Sequence, residues 1–334
     1  MTRREHVPVW RQGMTVVLAL AVGGLGLFLS LRGVRWAAVV EALKGVRREW
    51  LALAVVSSAG VAALKATRWY RLFVPDQDSL AWGSVLATLI LAQTVNVMVP
   101  VRGLGEALRV GMVTRRFPVG ALRVGGTIIL EKSLDLASLS LLALAVAPIS
   151  AQIVGEPILS TGILLLVGGG LVGMALAVRF RGRLRGWLGR WPGLWPGPWP
   201  RVARPLEQLL KGFNALRSGD RAWEPVVWTA AVRCLSIVSL LAALRSVGIP
   251  VPLLGIVVLH VLLNFSYLLP TPPAMVGLVQ YVTILVLGFF GVARAEALGA
   301  GVVLNLTIMS PYLLFGLPAW LYAWGFSPHR VPLR

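Results

Sequence analysis

Apolar residues run along this chain in long blocks, and charged residues gather between them. Nine blocks stand out, at residues 14–31, 51–73, 82–101, 124–147, 158–178, 223–244, 253–269, 276–290 and 295–324. A helix that crosses a bilayer needs about 20 mostly apolar residues, so the pattern predicts an all-α polytopic membrane protein with six to nine apolar segments. The last block holds Pro311 and Pro318 and is expected to kink or break there. Two further stretches read as interfacial. Residues 36–50 are basic and amphipathic. Residues 201–217 place Val202, Leu206, Leu209, Leu210, Phe213 and Leu216 on one helical face.

Two of the blocks end in a way that a plain span does not. One runs out in Asn96-Val97-Met98-Val99-Pro100, the other in Leu268-Leu269-Pro270-Thr271-Pro272-Pro273. Each meets Pro and then Gly at hydrocarbon depth, where open backbone survives only inside protein or beside a wet cavity. Paired broken helices in the two halves of a chain point to a transport site. The expectation is therefore two re-entrant hairpins, six full spans and cytoplasmic termini. The loop at residues 32–50 is the misfit, because it would be basic and outside.

Composition agrees with the block pattern. Of 334 residues, 57% are hydrophobic and only 13% charged, against about 25% in a soluble domain. The whole chain, 1–334, reads as one transmembrane domain in the cell membrane. Arg3, Arg4 and Arg11 before the first block, with no small-residue cleavage site after it, suggest an uncleaved signal anchor. The net charge of +19 lies between the blocks, where cytoplasmic loops meet anionic headgroups, and no basic stretch carries a nucleic-acid reading motif. The densest basic region, 179–221, contains Arg179, Arg181, Arg183, Arg185 and Arg190 and then Trp187, Trp191, Trp195 and Trp199 among prolines. Those prolines forbid a helix, so the indoles are expected to rest at headgroup level in a cytoplasmic loop, ahead of the amphipathic helix at 201–217. The opposite loop, 148–157, has no Lys or Arg. Cys234 is the only cysteine, and His6, His260 and His329 are scattered, so no metal site and no disulfide is expected. No phosphate-binding loop, nucleophile elbow or metalloprotease helix is present. No cofactor and no enzymatic activity are expected.

The polar residues within the apolar blocks carry the chemistry. Around the first break, Pro100, Gly103 and Gly105 permit open backbone, and Glu106 and Arg109 stand one turn apart on the helix that follows. With Arg102 beside that helix start, the stretch reads either as an anion site or as a polar loop with a surface ion pair. Glu131, Lys132 and Asp135 follow, with the two acids at i and i+4 in an apolar block. A charge facing lipid there costs about 2.5–3.5 kcal/mol, so these acids are expected to face the interior and to find Arg68, Arg102, Arg109 or Lys132. Either a buried structural ion network or a functional cluster fits. Arg233 lies some ten residues into its block and is expected near the midplane, taking a phosphate or pairing with Glu131 or Asp135. Asn264, Tyr267 and Gln280 complete the polar set, though buried amides often only bridge helices. At the second break, Pro270, Pro272, Pro273 and Gly277 interrupt the helix.

These motifs resemble the flippase-like transmembrane domain of lysylphosphatidylglycerol synthases. Asn96, Pro100, Arg102, Gly105, Glu106 and Arg109 carry the first part of the likeness, and Glu131, Lys132 and Asp135 the second. The third part is Pro270, Pro273, Gly277 and Gln280, followed by Phe290-Gly291-Val292 and residues 295–298; Arg68-Trp69 also fits. The sequence departs from the pattern at Lys132, where Arg is usual, at Ala274 and Met275, where glycine is usual, and at Gln280, where a carboxylate is often found. The expectation is a stand-alone member without the aminoacyl-transferase domain.

The resemblance implies lipid translocation or a related lipid-handling role. A polar intramembrane cavity would hold a phosphate-containing headgroup through Arg102, Arg109 and Arg233, with Glu106, Glu131 and Asp135 orienting the cations. The implied partners are a phospholipid or a polyprenyl-linked or glycolipid cargo. The alternative is a non-catalytic scaffold for a glycosyltransferase or another lipid-modifying enzyme, docked through residues 179–200, or self-association.

Overall fold

The computed structural model describes residues 9–32, 44–73, 76–99, 101, 103–154, 223–267 and 272–325. The expected block at 158–178, the basic loop and amphipathic helix at 179–221, most of the segment at 36–50, and the positions of Pro100, Arg102 and Pro270 lie outside the described residues. Nine α-helices are present among the described residues: α1 (Val9–Leu31), α2 (Arg48–Arg71), α3 (Trp82–Met98), α4 (Leu104–Arg116), α5 (Ala121–Val154), α6 (Glu224–Ser246), α7 (Leu253–Ser266), α8 (Leu278–Phe289) and α9 (Arg294–Gly325). Short 3₁₀ turns at Asp76–Ser79 and Pro273–Met275 complete the list, and no strand occurs among these residues. Among the described residues, three helices are long and apolar enough to cross a membrane by length and composition, Arg48–Arg71, Glu224–Ser246 and Arg294–Ala323. The protein is an all-helical polytopic membrane protein.

The expected blocks and the helices coincide to within a few residues, with two corrections. The stretch from Pro148 is not a loop up to Pro157, because α5 continues through it to Val154. Nor do Pro311 and Pro318 break the last helix, since α9 runs through both. A proline in a helix leaves the carbonyl four residues back without its donor. For Pro311 that carbonyl belongs to Thr307, and the Ser310 hydroxyl donates to it at 2.7 Å. In lipid such side-chain substitution is what lets a prolyl helix persist.

The chain divides into two compact units. The first comprises Met1–Val61, Ile90–Gly105 and Cys234–Pro318, the second Ala62–Leu89, Glu106–Arg233 and Ala319–Arg334. In the first unit, α7 and α8 have 14 and 12 residues. They reach about 21 and 18 Å at about 1.5 Å per residue, short of a hydrocarbon core of about 30 Å. They pack against each other, and the residues just before α7 meet those just after α8 around a 440 Å³ cavity lined by Gly248, Ile249, Phe290 and Gly291. The pair is thus a hairpin whose two ends share one side and whose tip is the Pro272–Val276 turn. That tip packs beside Gly23 and Gly26, well inside α1. Gly277 is required here: its φ is +86°, and an added Cβ would meet the Gly23 carbonyl oxygen and, at 2.6 Å, the Leu27 nitrogen. This is the re-entrant break expected from Pro272, Pro273 and Gly277.

In the second unit, the first half of α3, the end of α2 and the facing parts of α4 and α5 build an apolar core. Trp69, Leu72, Phe73, Val85, Leu89, Val113, Val124 and Leu134 are all buried in it. Trp69 and Phe73 pack edge to face with ring centroids 5.5 Å apart. In the first unit, the Asn96 side-chain oxygen accepts from the Gly105 amide at 2.9 Å. Gly105 sits so close to Ala92 and Asn96 that any side chain there would clash. The turn between α3 and α4, with Gly103 at φ +81°, is the first expected break.

Candidate functional site

Five charged side chains from four helices of the second unit converge in a single alternating row. Arg68, three residues before the end of α2, presents a fork to Asp135 on α5, with Nη1 to Oδ1 at 2.8 Å and Nη2 to Oδ2 at 3.1 Å. Its Nη1 also donates to the Thr229 hydroxyl of α6 at 3.1 Å and its Nη2 to Glu131 Oε1 at 3.4 Å. The other oxygen of Glu131 accepts from Nη2 of Arg109 on α4. At the far end of the row, Arg233 of α6 donates from Nε to Ser138 Oγ at 3.0 Å and from Nη2 to the Asp135 carbonyl at 2.8 Å, with the Asp135 carboxylate 3.5 Å away. The order is Arg109, Glu131, Arg68, Asp135, Arg233.

The row is closed at one end and open at the other. Arg68, Arg109 and Glu131 are 0%, 1% and 3% exposed, while Asp135 and Arg233 are 27% and 11% exposed. The guanidinium of Arg109 lies 3.8 Å over the Trp69 ring. Trp69 is itself held by a bond from its indole nitrogen to the Thr127 hydroxyl at 3.1 Å. Three guanidinium donors in this buried part, Arg68 Nε and Arg109 Nε and Nη1, have no hydrogen-bond partner among the described residues. Glu131 and Asp135 stand about 15 and 21 Å along α5, so the row runs from near a helix end toward the middle of the helix.

Helical geometry explains the assembly. Residues four apart lie on one face, which puts Glu131 and Asp135 side by side toward α2 and α6. Lys132 is rotated off that face. It is 53% exposed and pairs with Glu106 at 3.2 Å instead. Glu106 and Arg109 thus do not pair with each other. Both reach α5, one to Lys132 and one to Glu131, and stitch α4 along it. Burial opposes ionisation of Glu106, but the Lys132 ammonium and backbone donors prevail and hold its carboxyl below the ordinary range.

The sequence profile of a family described as the lysylphosphatidylglycerol synthase TM region matches residues 16–316. The chain belongs to that family. No curated protein matches it. Membership makes this a membrane region with a lipid-associated role, and the whole charged row falls within the matched span.

Against that family span, the expected site residues separate into three groups. Arg109, Glu131, Asp135 and Arg233 meet in the row; Glu106 and Lys132 form a pair beside it. Three amides are engaged locally. Asn96 holds the Gly105 amide, Gln280 Oε1 accepts from the Gly277 amide at 2.8 Å, and Asn264 Nδ2 donates one turn back to the His260 carbonyl at 2.8 Å. Tyr267 sits at the C-terminal cap of α7. Arg102 lies outside the described residues. Arg68 anchors the row; the sequence offered it as a possible partner of the acids and, with Trp69, as part of the family likeness, but not as the centre of the row, and Thr127, Ser138 and Thr229 were not anticipated as supports. The usable signal was Arg68 itself, a cation one turn inside an apolar block.

Proposed function

We propose that the protein is a lipid flippase or lipid transporter of the cell membrane, with cytoplasmic termini, whose buried arginines receive the phosphate of a lipid headgroup. The observation that carries the reading is Arg109. It is 1% exposed and shares one acid with Arg68, yet two of its donors have no acceptor among the described residues. A guanidinium fork held in low dielectric with unmet donors suits a phosphate oxygen. Glu131 fixes the fork from behind and Trp69 supports its face. Asp135 and Arg233 form the wetter end, where a headgroup would enter while its tails stay in the bilayer. The row alternates in sign, so an incoming anion can exchange with Glu131 or Asp135 without leaving a bare charge in hydrocarbon.

The test is headgroup-labelled phospholipid movement in proteoliposomes, read by bleaching of the outer leaflet. Arg109→Gln and Asp135→Asn are expected to slow movement by at least tenfold, and Glu106→Gln to leave it unchanged. Equal rates for wild type, Arg109→Gln and Asp135→Asn, all shown to be folded, refute the assignment.

A further inference from the structure

Resting on the reading of the row as a seat for a lipid phosphate, we infer that this seat selects a doubly charged terminal phosphate, a phosphomonoester rather than a phosphodiester, and that Lys65 supplies the deciding cation. Lys65 is placed by the way α2 and α6 run past each other. At the end of α2, Arg71 Nη1 lies 3.8 Å from the Glu224 carboxylate at the start of α6. One turn earlier on α2, Arg68 Nη1 donates to the Thr229 hydroxyl, further along α6, at 3.1 Å. Going back along α2 therefore means going forward along α6, and the two helices are antiparallel. The next turn on each carries Lys65, before Arg68, and Arg233, after Thr229. Residues three or four apart share a helical face, so Lys65 and Arg233 stand at one level of the α2–α6 seam. Arg233 holds the open end of the row through Ser138 and Asp135, and Asp135 and Arg233 head the charges that act on Lys65.

The charges at this seat do not balance. Lys65, Arg68, Arg109 and Arg233 face only Glu131 and Asp135, an excess of two positive charges. The neighbouring acids do not offset it, because Glu106 is taken by Lys132 and Glu224 by Arg71. Lys65 is half-buried and makes no hydrogen bond or ion pair among the described residues. Its ammonium adds three donors to those of Arg68 and Arg109 already left unmet. Uncompensated cations at hydrocarbon depth are unfavourable, so an anion completes the row, and two charges complete it better than one. A phosphodiester headgroup carries about one negative charge. A phosphomonoester carries about −1.5 to −2 at neutral pH and offers three oxygens to the donors. In low dielectric the second charge acts over the length of the row, and Lys65 has no acid of its own to compete with it.

The experiment is native mass spectrometry of the full chain offered phosphatidic acid and phosphatidylglycerol with identical acyl chains, with and without inorganic phosphate. Wild type is expected to retain phosphatidic acid over phosphatidylglycerol by about tenfold or more, the scale of one added charge contact. Lys65→Gln and Lys65→Met are each expected to bring that ratio close to one, and Lys65→Arg to keep it. Retention of phosphatidylglycerol by the variants shows that they are folded. Displacement of phosphatidic acid by millimolar inorganic phosphate assigns recognition to the phosphate group alone; resistance assigns it to the lipid-borne group. Either supports the selection. A ratio near one in wild type overturns it, and so does a ratio that Lys65→Gln and Lys65→Met leave at the wild-type value. The two readings fail separately. Arg109→Gln is expected to lower retention of both lipids alike; unchanged retention of both removes Arg109 from the seat while the Lys65 ratio still stands. A wild-type ratio near one, with both lipids lost in Arg109→Gln, keeps the phosphate seat and removes its charge preference.

Discussion

Removing the charge of Glu131 tests how the buried row is held together. Glu131 is 3% exposed and bridges two guanidiniums that are 0% and 1% exposed. Glu131→Gln keeps the shape and leaves Arg109 with no anion and Arg68 with Asp135 alone. Breaking a buried pair in this way costs about 3–5 kcal/mol, because a desolvated charge loses its compensation. The same change at Glu106, in a pair 28% and 53% exposed, costs about 1 kcal/mol or less. The gap is at least about 2 kcal/mol, more than tenfold in the folding constant, and is resolved by reversible unfolding in mixed micelles of increasing denaturing detergent. A second arm separates lost attraction from stranded charge. Adding Arg109→Met to Glu131→Gln removes the uncompensated cation, so the double variant is expected to regain stability over Glu131→Gln alone. If Glu131→Gln and Glu106→Gln destabilise equally, within about 0.5 kcal/mol, the row is not a desolvated network and the reasoning from burial fails.

Three further outcomes are expected. Ala274 and Met275 have φ of +52° and +56°, a region that costs a non-glycine residue about 1–2 kcal/mol; Ala274→Gly and Met275→Gly should each raise stability by about 1 kcal/mol, and a loss in both would contradict the strained tip. Gly277→Ala forces a Cβ into the α1 backbone and should lower stability by about 2 kcal/mol or more, with Gly288→Ala, which has open space, as the tolerated control in the same unfolding assay. Glu106 has a folded-state pKa below its unfolded value, so its stabilising contribution is present above the ordinary carboxylate range and is lost as pH falls through the depressed value; the stability difference between wild type and Glu106→Gln should be constant from neutral pH to mildly acidic and shrink only below about pH 4, and a difference that grows on acidification would reverse the sign.

The helices were legible because lipid imposes a length, and the breaks because proline and glycine at depth have few other meanings. Glu131 and Asp135 could be placed inside by the same energetics. Lys132 could not follow them: the next residue along a helix turns by about 100°, so a run read as one cluster divides between the interior row and the Glu106 pair. Arg68 was undervalued for a related reason. Long basic side chains near helix ends commonly reach toward headgroups, and composition does not reveal that this one turns inward to Asp135. The continuity of α9 through Pro311 depended on Ser310 taking up the Thr307 carbonyl, a local substitution that a count of prolines does not see.

The amides show why polarity at membrane depth is a poor guide to ligand contact taken alone. A hairpin that ends in hydrocarbon strands backbone groups that water would otherwise satisfy. Here Asn96 takes the Gly105 amide, Gln280 the Gly277 amide and Asn305 the Ala274 carbonyl. Gln280 follows Gly277 by three residues, the spacing at which a helix-start side chain reaches back to its own cap, so this role was readable before any coordinates. Once such engagements are assigned, the buried side-chain atoms still without a partner among the described residues are donors of Arg68, Arg71 and Arg109 and the Ser140 hydroxyl in the second unit, and the Asn305 oxygen and Thr307 hydroxyl in the first. Only the Arg68 and Arg109 donors gather in one place, and that cluster, rather than the polar residues as a class, is what asks for an anionic oxygen.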